Sequence, residues 1–147
     1  MSTFQHPRRV VPPSPPGSLL KRPEGQPRDE RPSDAGRDPD YLAMVRLCPC
    51  LKCGMEPSEA AHVRYASAAH GKASGLGKKP EDRWALPLCA DCHRLSRDAQ
   101  HNRGEYQFWC ALGINPLATA ERLYAQRGDQ AAMFAVIFTT IAGRGFS

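Results

Sequence analysis

The stretch SEAAHVRYASAAHGKASGLGKKPEDRWALPLCADCH, residues 58 to 93, decides how this chain folds. A short half-apolar run (AAHVRYA) is followed by an aperiodic Gly/Lys loop and a second extended run (RWALPLC). The stretch ends on two cysteines with a histidine directly behind them. Two extended runs separated by glycines and a proline predict strand, loop, strand, and a helix begins around the second cysteine pair. Just upstream stands CLKC, so Cys50 and Cys53 form one Cys-x-x-Cys knuckle, and Cys89 and Cys92 form another. Two such pairs can supply four thiolates to one tetrahedral structural Zn2+. The 35 residues between the knuckles exceed the roughly 15–20 of compact zinc folds, so the intervening segment must build structure of its own.

Two further cysteines compete for attention. Cys48, in CPC, is an alternative to Cys50, although the two-residue gap between Cys50 and Cys53 suits a knuckle better. Cys110, in EYQFWCALG, reads as a small buried helix residue, and Tyr106, Trp109 and Gly113 share its helical spacing, which predicts core aromatics rather than a base-stacking platform. Other chemistries use the string CADCH. Covalent haem attachment matches Cys89, Cys92 and His93 literally, but the second knuckle and the absence of an export signal argue against it. Zinc nucleobase deaminases need His-x-Glu ahead of Pro-Cys-x-x-Cys; here Arg64 stands two residues after His62, and Leu88 separates Pro87 from Cys89.

Outward from this centre the composition changes near residue 40. Residues 1–40 hold nine of the fourteen prolines and mix seven Lys/Arg with six Asp/Glu, a composition that cannot bury enough surface to offset its ordering entropy. They are expected to form a disordered, Pro-rich arm, leaving one domain over 41–147. No apolar core follows the early basic residues, so export is not expected and a cytoplasmic location is. The most apolar stretch, AAMFAVIFTTIA at 131–142, is shorter than the roughly 20 residues a membrane span requires. It reads as a core helix or, second, as a homodimer interface, with Asp129 as its N-cap and Gly143 in a left-handed position behind it. A further helix starts at Asn115 and Pro116, giving C-terminal helices over about 115–143.

The formal charge is +5, with thirteen Lys/Arg against nine Asp/Glu after Asp40. Five of the basic residues, Arg64, Lys72, Lys78, Lys79 and Arg83, cluster in and around the Gly/Lys loop. Such a loop can follow a phosphate backbone through salt-sensitive contacts, and a solvated loop is the plain alternative. His70, within the loop, is expected at the surface.

In combination, CLKCG, EAAHVR, KKPEDRWALPLC, CADCH and QHNRGEYQFW resemble the HNH nucleases over roughly residues 48–112. The resemblance is closest to a phage and prophage branch associated with branched recombination intermediates. It implies an α+β fold with a small zinc-stapled ββα-metal centre and flanking helices. It also implies a metal-dependent endonuclease hydrolysing phosphodiester bonds in DNA. Carried over by position, His62 matches the first-strand histidine that acts as general base, and His93 matches the metal-binding residue behind the second knuckle. His101 matches a second metal-binding histidine, with SRDA as an inserted turn. On an unbroken helix His93 and His101, eight residues apart, would share a face; a looped-out insert would bring them together differently. The catalytic cation would be Mg2+ or Mn2+.

Two positions depart from that pattern. Ala61 stands where many such nucleases carry an acidic metal ligand, and the middle asparagine is absent, with Asp82 nearest its place. Asp82 could orient the base, add an oxygen ligand or simply form a turn. The rival reading is a zinc-stabilised nucleic-acid-binding module of the same fold without turnover.

Overall fold

The computed structural model describes residues 35–73 and 79–144. The expected arm therefore lies outside the described residues up to residue 34. Its last residues belong to the folded unit. Asp38 caps helix α1 (Pro39–Leu47) by accepting from the Tyr41 amide at 2.9 Å, with Pro39 at the first helical position, where its missing N–H costs nothing.

Helix α1 buries Tyr41 and Val45 against a two-stranded antiparallel sheet formed by β1 (Glu59–His62) and β2 (Ala85–Leu88). The register pairs Glu59 with Leu88 and His62 with Ala85. All of β2 is buried, which suits its apolar sequence ALPL, and Pro87 is accommodated because the ladder is so short. Tyr41 donates its hydroxyl to the Ala85 carbonyl at 3.0 Å, fixing the helix on the sheet. Ala61 faces this core and is fully buried with Val63, Leu86 and Leu88.

Beyond β2 the chain makes one wide helical turn, Asp91–Leu95, and then breaks: Ser96 is extended. Helix α2 (Gln100–Arg103) follows, and Asn102 closes the connection by donating to the carbonyls of Arg94 and Ser96 at 3.2 and 2.8 Å. An unbroken helix through His101 is thus ruled out, and SRDA forms a loop. Gly104 (φ +93°) permits the sharp bend into α3 (Glu105–Leu112), a conformation that side-chain-bearing residues resist. Helix α4 (Pro116–Ala125) has Asn115 as N-cap, accepting from Ala118, and α5 (Gln130–Ala142) has Asp129, accepting from Ala132. Gly143 is right-handed rather than left-handed, because α5 runs out through a further turn bonded to Thr139 and Ile141.

Helix α5 is only half buried. Met133 and Ile137 enter the core, whereas Ala131, Ala135 and Phe138 form an exposed stripe, with Phe138 58% accessible. Among the described residues no helix is long and apolar enough to cross a membrane.

Candidate metal centre and flanking histidines

The first knuckle is a tight turn. Gly54, at φ +75°, returns the chain so that its amide reaches the Cys50 carbonyl at 2.8 Å, and the Lys52 amide donates to the Cys50 sulfur at 3.4 Å. The Leu51 amide bonds to the Pro87 carbonyl at 3.0 Å, which hangs this turn on β2 beside the second knuckle. As a result the Sγ atoms of Cys50, Cys53, Cys89 and Cys92 all lie within 4.8 Å of one another. A tetrahedral site with metal–sulfur bonds of ~2.3 Å places its sulfurs about 3.8 Å apart, so the four thiols fit a zinc ion. Burial, with the neighbouring Cys89 and Cys50 sulfurs, pushes the Cys92 thiol far up; a cation is what would let four thiolates share this space. Cys48 stands apart, bonded to Met44 and Gln130 at 3.5 Å and raised to about 11 by burial, which leaves Cys50 as the ligand.

At the far end of β1, His62 Nε2 lies 2.8 Å from Asp82 Oδ1. Asp82 is nearly inaccessible, and its second oxygen accepts the Asp38 amide at 2.9 Å. Burial works to raise its pKa, yet the Asp38 amide and the His62 ring outweigh that, and the carboxyl is held below the usual range. With both oxygens engaged, Asp82 orients His62; an oxygen-ligand role is not favoured.

A second cluster occupies the other end of the strand. His93 Nδ1 is 2.7 Å from Glu59 Oε2, and Arg94 clamps the same carboxylate at 2.9 Å. The His101 ring meets His93 edge to face at 4.5 Å between centroids. Burial, with His93 and Arg64 nearby, lowers the His101 pKa. Glu59 had no role from sequence, yet the EAAH spacing held the signal, a carboxylate three residues before the histidine rather than one. At the position one residue before, Ala61 is buried in the core, where a carboxylate would lose its hydration. Three residues of strand put Glu59 and His62 about 10 Å apart along β1. No hydrogen bond, ion pair or ring contact joins His62 to His93 or His101 among the described residues, and the four cysteines are the one group there that brings three or more ligand atoms together.

The basic residues separate into distinct environments. Arg64 and Lys79 are exposed, and Lys78 lies outside the described residues. Lys72 is buried and ties its ammonium to the carbonyls of Arg64 and Tyr65 at 3.2 and 2.9 Å, so it holds the loop rather than reaching a phosphate. The Arg83 guanidinium packs 4.8 Å from the Trp84 ring centroid and 5.8 Å from that of Tyr124, which half-buries it. Glu105 accepts the Arg64 amide at 3.0 Å and Gln100 at 3.0 Å, and burial raises its pKa. His70 is less exposed than expected, since Nδ1 pairs with Glu121 at 3.1 Å.

Fold and site together define a small mixed protein of helices and one two-stranded sheet, with a four-cysteine cluster fit for a metal such as zinc. The chain belongs to the family described as Protein of unknown function (DUF968), whose model matches residues 8–117. That span contains both knuckles, both strands and all of His62, His93 and His101, and it ends at the start of α4. No curated protein and no solved structure matches the chain.

Proposed function

We propose that this protein is an HNH-type, metal-dependent endonuclease that hydrolyses phosphodiester bonds in DNA, with branched recombination intermediates as the favoured substrate class. The observation that carries this is the His62–Asp82 pair at the end of a hairpin whose base carries the four-cysteine cluster. A carboxylate bonded to Nε2 favours the tautomer with its proton there, which leaves Nδ1 to take a proton from the attacking water. His93 supports the second half of the reaction. Its Nδ1 is paired with Glu59, so Nε2 is the nitrogen left to hold a divalent cation, the arrangement in which a carboxylate orients a ligating imidazole. Such a cation would stabilise charge on the scissile phosphate and the leaving oxygen, and His101 stands beside it as a further donor.

The separation of His62 from His93 favours one alternative, a nucleic-acid-binding module without turnover. Cleavage of supercoiled and branched DNA by the purified chain in Mg2+, Mn2+, Co2+ or Ni2+ tests the choice. Turnover that falls roughly 100-fold or more in His62→Ala, with zinc content and DNA binding kept, supports the nuclease. Wild-type DNA binding without cleavage in any of these metals would establish the module instead.

A further inference from the structure

Helix α3 docks through Phe108 and Trp109, which are buried, and this turns Tyr106 and Cys110 outward, with Tyr106 63% accessible. Both were expected in the core. Their outward face forms one wall of a half-open pocket of about 350 Å3, near the lower end of small-molecule sites (~300–1000 Å3). Tyr65, Tyr106, Trp109, Cys110, Ile114 and Pro116 are among its lining residues. The two tyrosine rings stand edge to face, 5.9 Å between centroids at 76°, and Tyr106 keeps most of its surface exposed.

Exposed Arg64 immediately precedes Tyr65, and exposed Arg103 stands three residues before Tyr106 across the Gly104 bend, in a chain of net charge +5. Aromatic walls next to cationic side chains match a planar ring attached to a polyanion. We infer that this pocket takes an unpaired nucleobase from a single-stranded or branched nucleic acid, stacked on Tyr106. The inference rests on the nucleic-acid reading above and adds to it a recognition site for unpaired bases, distinct from both histidine clusters.

The experiment compares binding of the full chain to a labelled oligothymidine strand and to an abasic strand of equal length, by fluorescence anisotropy at one salt concentration. The phosphates are the same in both, so the difference isolates the base. About 10-fold tighter binding of the base-bearing strand is expected, within the range one stacked base supplies. Tyr106→Ala should remove that preference with zinc content and circular dichroism unchanged, and Tyr106→Phe should retain it. Equal affinity of wild type for the two strands, or an unaltered preference in Tyr106→Ala, would overturn the pocket assignment while leaving nucleic-acid binding in place. No binding to either strand or to duplex DNA would overturn both.

Discussion

His62 and Asp82 are twenty residues apart, and their pairing depends on a third residue, Asp38, whose amide holds the second carboxylate oxygen. Asp82→Asn removes the charge that both donors serve, so a loss of about 1.5–3 kcal/mol is expected at neutral pH by chemical denaturation. The sign with pH follows from the depressed folded pKa of Asp82. Its stabilisation is complete above the ordinary carboxylate value and is lost as pH falls through the lower folded value. The stability gap between wild type and Asp82→Asn should therefore be present above the ordinary carboxylate value and narrow below about pH 4. A gap that failed to narrow below about pH 4 would contradict the pairing. At the other cluster, Glu59→Gln keeps the shape but weakens the orientation of His93, so under the proposed nuclease function the cation concentration for half-maximal cleavage should rise about 10-fold or more. An unchanged metal requirement would remove Glu59 from the site.

Elements respond according to which face they bury. In α5, Ile137 is fully buried and Phe138 largely exposed. Ile137→Ala should cost about 2–5 kcal/mol, and Phe138→Ala should stay within roughly 0.5 kcal/mol, measured by urea denaturation. The reverse order in a monomeric preparation would mean that α5 docks through its other stripe. The loop between the strands divides in the same way. Under the proposed function, Lys79→Ala should weaken DNA binding at low salt and shallow its salt dependence, because an exposed lysine placed on a phosphate would release a counterion. Lys72→Ala should instead lower the melting temperature, because the buried ammonium holds the Arg64 and Tyr65 carbonyls. Denaturation and salt-titrated binding on the two variants separate these roles.

For the whole molecule the cysteine cluster leads to the expectation that folding depends on a bound metal. The hairpin has four residues per strand, too few for independent stability, and the knuckles join its two ends through Leu51 and Pro87. One zinc per chain is expected by elemental analysis, and chelation should unfold the hairpin and α1 together, since binding free energy here is folding free energy. Cys89→Ser should reproduce that loss, whereas Cys48→Ser should keep its zinc. A chain that retains its circular dichroism in strong chelator without zinc would sink the structural role of the site.

Most of what the sequence determines here is local in the chain, the joining of the two knuckles being the exception. The knuckles are set by two-residue gaps, the caps at Asn115 and Asp129 by side chains bonding three residues ahead, and the strands by short alternating runs between glycines and prolines. The break of the helix after Leu95 was one of two outcomes that the insert SRDA left open. What spacing could not supply were pairings between residues 34 to 86 apart, Glu59 with His93 and the Tyr124 hydroxyl on Asp38, or the burial of Lys72 behind the loop; for Asp82 it left three roles open, of which the pairing with His62 is the one formed. The sequence also placed Tyr106, Trp109 and Cys110 near one another on a helix without saying which side would dock. Helical periodicity defines faces; the choice between them came from the fit of Phe108 and Trp109 into the core around the sheet, which left Tyr106 and Cys110 facing outward.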